Sequence, residues 1–136
     1  MYSKVRLFVI GIIFNLIIFN YATTVLITGK LRCNNQSYPN GEVKLFDSSS
    51  SLTPTLTTKS IDDGSFTLSK DISNPRSKYH LSIYYNCSSH GISSPCRLVY
   101  SKDISLQDRG GIKRSSQGII NLEAQTVGVK PDCTYG

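Results

Sequence analysis

The sequence has no Cys-x-x-Cys pair, no run of clustered basic residues and no second long apolar segment beyond its N-terminus. Without paired ligand spacings, the four cysteines and two histidines do not form a zinc motif. Because basic residues are not interleaved with aromatic ones, nucleic acid is not an expected partner. We therefore expect a protein without a metal, another cofactor, a nucleic-acid site or a stable membrane span.

The N-terminus has the three parts of a secretory signal peptide. Lys4 and Arg6 precede the apolar run Leu7–Phe19, and the chain becomes polar after the small residue Ala22. The run is shorter than the about 20 residues that a spanning helix needs, which favours cleavage over an uncleaved membrane anchor. We expect residues 1–22 to be removed and the rest to be secreted into the extracellular space.

Residues 23–136 suit one domain in length, and their charge remains mildly positive after the signal is removed. Such a charge permits contact with anionic lipid head groups or polysaccharide without implying it. An even number of cysteines in an exported chain predicts two disulfides, with three possible connectivities. Cys87 and Cys96 flank a short loop, so we expect them to pair. Cys33 and Cys133 would then tie the first strand to the C-terminal tail.

Two glycosylation sequons occur in segments predicted to be loops. Asn35 is followed by Gln36-Ser37, and Asn86 is followed by Cys87-Ser88. A secreted chain can carry glycans at such sites. We expect the first to be the better acceptor, since the central cysteine of the second is predicted to be bridged.

Alternation of apolar and polar residues predicts seven short strands. The segments are Thr24–Cys33, Glu42–Asp47, Thr55–Ile61, Ser65–Ser69, Tyr79–Cys87, Cys96–Ile104 and Gln117–Glu123. Only Ser105–Arg109 has the character of a possible helical turn. Strands this short must pair into two sheets to bury their apolar faces. We therefore predict an all-β, two-sheet sandwich with two disulfides.

The motifs along these strands resemble those of the nematode transthyretin-like family. They are Val25–Cys33, Pro39–Asp47, Ser60–Phe66, Leu81–Cys87, Cys96–Tyr100 and Ile119–Glu123, followed by Cys133. The resemblance covers almost all of the chain after the signal. It implies a secreted, prealbumin-like sandwich found outside cells or at cell surfaces. It implies no particular activity, since the family has no uniform known biochemical function.

Two segments depart from the family pattern. Ser48–Ser51 stands where family members usually have a longer acidic stretch. Tyr85-Asn86 stands where many of them have His-Asp before the second cysteine. Any chemistry that this histidine performs in relatives is therefore absent from this chain.

Relatives of transthyretin include hydrolases of 5-hydroxyisourate, so an enzymatic function needs a direct test on the residues. Those enzymes end in Tyr-Arg-Gly-Ser and use histidines and an arginine in a tetramer channel, whereas this chain ends Cys133-Thr134-Tyr135-Gly136. The candidate general bases are His80 and His90, and spacing assigns neither to a Ser-His-Asp arrangement. We expect structural histidines and no enzyme.

A binding module needs only an exposed loop or sheet face on a rigid scaffold. Tyrosine and arginine are enriched at binding hot spots. The patch we predict comprises Tyr84, Tyr85, Arg97 and Lys102 beside the Cys87–Cys96 loop, with Tyr79 nearby and half of these tyrosines expected in the core.

We therefore predict a secreted binding or signalling module that contacts a protein, cell-surface or lipid partner. Two alternatives remain open. One is a carrier of a small hydrophobic hormone or lipid, which requires a transthyretin-like tetramer. The other is a hydrolase related to the 5-hydroxyisourate enzymes.

Overall fold

The computed structural model describes residues 23–87 and 96–133, which form two β-sheets around one core. The strands are β1 (Thr23–Cys33), β2 (Gln36–Ser37), β3 (Glu42–Phe46), β4 (Leu56–Lys59), β5 (Ser65–Ile72), β6 (Lys78–Tyr85), β7 (Arg97–Ser105), β8 (Gln107–Arg109), β9 (Ile112–Asn121) and β10 (Val129–Asp132). A 3₁₀ turn spans Leu122–Ala124. The predicted signal peptide, residues 1–22, and His90 lie outside the described residues. Within the described ranges, no helix is long and apolar enough to cross a membrane.

The first sheet, called the β1 sheet, has the order β5-β1-β9-β8, with β2 beside the end of β1. β1 runs antiparallel to β5 and parallel to β9. β8 and β9 form a hairpin in which Arg109 faces Ile112, and both connecting residues, Gly110 and Gly111, have positive φ. A two-residue hairpin turn with positive φ at both positions favours glycine, which explains the Gly-Gly pair.

The second sheet, called the β6 sheet, has the order β10-β7-β6-β3-β4 and is antiparallel throughout. The register between its central strands places Tyr84 opposite Val99 and Ser82 opposite Ser101. β4 lies at one edge, as predicted for the segment Thr55–Ile61, and β10 lies at the other.

The inner faces of the two sheets supply a shared core, because alternate residues of each strand point inward. The fully buried side chains include Val25, Ile27, Leu31, Val43, Leu45, Leu68, Leu81, Ile83 and Leu122. Burying each such side chain stabilises the fold by about 1.5–3 kcal/mol. The predicted all-β, two-sheet sandwich is therefore confirmed.

Two family-like motifs have a direct packing role. Gly29 lies opposite Phe66, and a Cβ on Gly29 would lie 2.5 Å from the Phe66 ring, so only glycine leaves room for it. Gly64 has a φ of 85° and its carbonyl accepts a hydrogen bond from the Leu31 N–H at 2.7 Å. Asp63 fixes the same turn by accepting hydrogen bonds from the N–H and hydroxyl of Ser65. The Asp-Gly-x-Phe motif therefore joins β5 to β1.

The predicted disulfide pairing is wrong, although all four cysteines are bridged. Cys33 pairs with Cys87, and Cys96 pairs with Cys133. Cys33 ends β1 of one sheet and Cys87 follows β6 of the other, so this bridge joins the two sheets. Cys96 and Cys133 flank the directly paired residues Arg97 and Asp132 of β7 and β10. Closeness in sequence therefore did not make Cys87 and Cys96 partners. β6 ends at Tyr85, so the chain leaves its pairing with β7 before it reaches Cys87.

Three further differences concern the C-terminal third. β9 begins at Ile112, well before the predicted start at Gln117. The possible helical turn at Ser105–Arg109 instead contains β8. β10, which the sequence pattern did not predict, pairs with β7. These segments are polar and exposed, and their strands exist because a partner strand satisfies their backbone groups.

Candidate functional site

The outer face of the β6 sheet contains a solvent-open depression of about 680 Å³. We call this outer surface the Tyr84 face. Its side chains include Glu42, Lys44, Thr57, Lys59, Lys78, His80, Ser82, Tyr84, Arg97, Val99, Ser101, Asp103, Lys130 and Asp132. Ser49 and Gly128 border the depression from the loops at either edge. The face therefore combines an open hollow with charged and aromatic groups.

The ring of Tyr84 lies on this face with two basic side chains packed against it. The guanidinium carbon of Arg97 is 4.4 Å from the ring centroid, and the Nζ atom of Lys44 is 4.9 Å from it. Both distances are within the range of cation–π attraction, about 6 Å. The three side chains reach each other because they occupy outward positions on the neighbouring strands β3, β6 and β7.

Ion pairs hold the two cations in place. Arg97 donates hydrogen bonds to Glu42 Oε2 and Asp132 Oδ2, each at 2.9 Å. The Nζ of Lys44 is 3.3 Å from Glu42 Oε1. Burial by itself raises the pKa of Glu42, but hydrogen bonds from Arg97 and Lys44 outweigh it and hold that pKa below its usual value. Glu42 is therefore ionised at neutral pH and anchors both cations.

A second pair of polar contacts lies further along the same strands. His80 Nδ1 is 2.9 Å from Asp103 Oδ1, and the hydroxyl oxygens of Ser82 and Ser101 are 2.9 Å apart. Within residues 23–87 and 96–133, no hydrogen bond joins the His80 ring to either hydroxyl. The arrangement contains a histidine–carboxylate pair and a serine pair, but not the linked chain that a nucleophilic mechanism requires.

The predicted binding patch is divided between two surfaces. Tyr84 and Arg97 lie together on the Tyr84 face. Tyr85 is 3% exposed and belongs to the core, as does Tyr79. Lys102 lies opposite the inward-facing Leu81, so it is on the other side of the sheet from Arg97. Successive strand residues alternate between faces, and this alternation separates Tyr84 from Tyr85 and Arg97 from Lys102.

Several residues of the face were not predicted. Glu42 and Lys44 occupy the outward positions of β3, and this alternation is visible in the sequence. Asp132 and Lys130 belong to β10, which lacks a strand pattern. No sequence signal indicated that this C-terminal segment lies beside β7.

The two asparagines of the predicted glycosylation sequons are both exposed. Asn35 is exposed in the turn after β1 with a φ of 65°, and Asn86 is exposed with its N–H donating to the Tyr38 hydroxyl. Glycosylation at both stays a prediction. Among the described residues, no group of three or more His, Cys, Asp or Glu side chains could hold a metal ion.

Two solved structures align with the chain at low similarity. The dioxygenase domain of a dioxygenase carbohydrate-binding protein fusion from Streptomyces sp. SirexAA-E is 10% identical, with a TM-score of 0.45, and the alignment covers 75% of this chain and 82% of that one. A 9R-lipoxygenase from Cyanothece PCC8801 is 11% identical, with a TM-score of 0.43, covering 77% of this chain and 17% of that one. At these scores, neither supports an argument about this protein.

Family comparison gives a clear result. No curated protein matches the sequence. The model of the transthyretin-like family designated TTR-52 matches residues 28–104, more than half of the chain. This segment contains the second half of β1, all of β2 to β6 and most of β7, and it includes the motifs Pro39–Asp47, Ser60–Phe66, Leu81–Cys87 and Cys96–Tyr100. The chain belongs to the transthyretin-like family.

Proposed function

We propose that the protein is an extracellular binding or signalling module without catalysis, which contacts a protein, cell-surface or lipid partner through the Tyr84 face. The observation that carries this proposal is the open depression in which Tyr84, Lys44 and Arg97 are fixed by their mutual contacts. Such a surface is already ordered before a partner arrives.

Pre-organisation is the physical advantage of this face. An exposed arginine normally loses side-chain entropy when a partner immobilises it, and that loss weakens binding. Here Arg97 is already held by Glu42 and Asp132, and its side chain is 20% exposed. Tyrosine and arginine also carry a large share of the binding energy at protein interfaces.

The absence of catalysis is supported by the surroundings of His80. Its Nδ1 contacts the exposed carboxylate of Asp103, while Ser82 and Ser101 contact each other. A general base must lie within hydrogen-bond reach of the proton it removes. We expect no turnover of 5-hydroxyisourate above that of a His80→Gln variant, measured by the loss of substrate absorbance. Turnover that is lost in the variant would contradict the proposal.

The extracellular setting is supported by two disulfides, which persist in oxidising compartments. Expression of the full chain in secreting cells tests this setting. We expect the protein in the medium to begin at Thr23 by N-terminal sequencing. Retention of the whole chain in the membrane fraction would refute secretion.

A crosslinking experiment tests the binding face directly. A photo-reactive amino acid replaces Val99, which lines the depression, and a matched one replaces Thr28 on the other sheet. We expect light-dependent capture of the same extracellular or cell-surface partner only from position 99, with excess unlabelled protein as competitor.

Charge variants sharpen the result. Lys44→Gln/Lys130→Gln removes two cations of the depression, whereas Lys70→Gln/Lys113→Gln removes two lysines of the β1 sheet. Capture should fall in the first variant and persist in the second. Equal capture from position 28, or an equal loss of capture in both charge variants, would contradict binding at the Tyr84 face. A tetramer in size-exclusion chromatography would favour a carrier instead.

A further inference from the structure

The outer face of the β1 sheet has a different charge pattern from the Tyr84 face. We call it the Arg114 face. It presents Lys30 and Arg32 from β1, Arg114 from β9 and Arg109 from β8, all at outward positions of their strands. Within residues 23–87 and 96–133, none of these four side chains forms an ion pair, and every ion pair found lies on the β6 sheet. The four cations are therefore available to a ligand.

Acidic groups are scarce around these cations. Asp71 is the one carboxylate at an outward position of this face among the described strands, and it accepts a hydrogen bond from the Thr24 hydroxyl at 2.7 Å. Asp63 lies in the turn near Lys30. Its pKa is lowered mainly by hydrogen bonds from Ser65, with a smaller contribution from the charge of Lys30. The face therefore keeps a positive potential that its own acids do not cancel.

The surface beside Arg114 is concave and rich in hydrogen-bonding groups. Two adjoining depressions, of about 420 and 250 Å³, share Arg114, Ser115 and Ser116 as lining residues. The larger also reaches Arg109 and Gln107, and the smaller reaches Thr28 and Leu26. Guanidinium groups next to hydroxyl and amide groups suit an anionic oxygen on a polar, hydroxylated ligand.

The cations extend across the sheet rather than forming one cluster. Arg109 lies at the level of Ile112, which pairs with Thr24, while Arg32 lies at the far end of β1. Along the strand direction, Arg109 and Arg32 are therefore separated by about 26 Å, at roughly 3.3 Å per residue. A single small anion cannot occupy such a span, but an extended polymer with repeated anionic groups can.

We propose that the Arg114 face binds a linear sulfated polysaccharide. Its sulfates would pair with Arg109 and Arg114 at one end and with Lys30 and Arg32 at the other, while its hydroxyl groups would meet the hydroxyl-lined depressions between them. An anionic bilayer fits less well. It is flat at this scale and cannot enter the depressions, and Ile119 is the one large apolar side chain of the described face that is more than half exposed.

The choice of a sulfated polysaccharide rests on the proposed extracellular setting, because that is where such polymers occur. The binding itself does not depend on the Tyr84 face. A measurement on purified protein therefore separates the two ideas. Failure of secretion would remove the setting but not the affinity, and failure of the affinity would leave the Tyr84 proposal intact.

Binding to heparin tests the inference, with the disulfide-bonded protein titrated onto immobilised heparin at several salt concentrations. The variants are Arg109→Gln/Arg114→Gln and Lys30→Gln/Arg32→Gln, and Lys59→Gln/Lys78→Gln is the control with the same loss of charge. We expect about a tenfold weaker affinity for each of the first two variants, since each removes two exposed ion pairs with the ligand. The control should stay within about twofold of the wild type. Binding should also weaken as ionic strength rises.

Any of four results would overturn the proposal. The wild type could fail to bind heparin at physiological salt. The control could lose as much affinity as the two test variants, which would show attraction by net charge alone. Desulfated heparin could bind as well as heparin, or vesicles containing anionic phospholipid could bind while heparin neither binds nor competes. Unchanged thermal unfolding of each variant shows that a loss of affinity does not come from misfolding.

Discussion

The outer faces of the two sheets differ in their acidic side chains and therefore in their electrostatics. Both consist of charged and hydroxylated side chains on alternate strand positions. On the Tyr84 face, Glu42, Asp132 and Asp103 each contact a basic side chain. On the Arg114 face, the cations have no such partners among the described residues. The acids of the first face are therefore ion-paired, whereas the cations of the second are unpaired.

The difference follows from the number of acidic side chains and from strand register. Glu42, Asp103 and Asp132 face outward on the β6 sheet, whereas Asp71 is the one carboxylate at an outward position of the described β1 sheet. On the β6 sheet, Arg97 lies directly opposite Asp132, and His80 lies directly opposite Asp103. Opposite charges at directly facing positions attract across the strand pair. On the β1 sheet, the neighbours of Arg114 are Leu26 and Gln107. A mildly basic chain can thus have one face that stabilises itself and another that attracts a polyanion.

Removal of the Cys96–Cys133 disulfide should produce the largest difference in behaviour between the two faces. Cys96→Ser/Cys133→Ser frees β10, which carries Asp132 and Lys130, while the inter-sheet bridge remains. On the loop-entropy model, the free energy of unfolding should fall by about 4 kcal/mol in urea titrations. Partner capture at the Tyr84 face should be lost, and heparin binding should persist under conditions in which the variant is folded. Loss of heparin binding by the folded variant would show that the faces are coupled.

A matched pair of arginine variants tests the difference in pairing. Arg97→Gln leaves Glu42 and Asp132 as partly buried acids without their shared cation, so the free energy of unfolding should fall by about 1–3 kcal/mol. Arg114→Gln removes an exposed, unpaired cation and should change it by no more than about 0.5 kcal/mol. Chemical denaturation of both variants checks these values. Equal losses would mean that the Arg114 face is also internally stabilised.

The pH dependence should come from one face in a predictable direction. The pKa of Glu42 in the folded protein is below the ordinary 4.5, so its contribution is present above the unfolded pKa and is lost as pH falls through the folded value. At neutral pH, wild type should exceed Glu42→Gln in unfolding free energy by about 1 kcal/mol. That difference should shrink below pH 4.5. A constant difference from pH 7 to 3 would exclude this ion-pair origin.

The smallest expected effect concerns the Tyr84 ring. Tyr84→Leu removes the π face beneath Lys44 and Arg97 and should reduce stability by about 0.5–1 kcal/mol. Tyr84→Phe keeps that face, so it should reproduce the wild-type unfolding temperature. Differential scanning calorimetry of the two variants checks the comparison. If Phe were as destabilising as Leu, the hydroxyl rather than the ring would be the stabilising group.

Alternation along the strands predicted more of the site than residue type did. Alternation within the predicted strand Tyr79–Cys87 puts Leu81, Ile83 and Tyr85 on one face and Tyr84 on the other, and the structure agrees. Grouping Tyr84 with Tyr85, and Arg97 with Lys102, ignored this rule and joined residues that lie on opposite faces. The predicted patch therefore joins residues from opposite faces of the sheet, and its role in binding stays a prediction.

The disulfide partners depend on contacts between segments that are far apart in the sequence. Cys87 and Cys96 are close in sequence, yet Cys87 turns into the core and meets Cys33 of the other sheet. Alternation along β1 puts Cys33 on the same face as Val25, Ile27 and Leu31. The proximity of its strand end to the end of β6 depends on how the two sheets stack, and no pattern within either strand contains that information.

The sequence by itself determined the fold class and the family, because period-two alternation, turn residues and motif glycines act through neighbouring residues. It also determined which side chains face outward on the strands that it predicted. Only the tertiary structure decided the disulfide partners, the position of β10 beside β7, and which charges meet. Those features depend on sheet order and register, which arise from contacts between segments far apart in the chain. The pairing of charges on the two outer faces differs for the same reason.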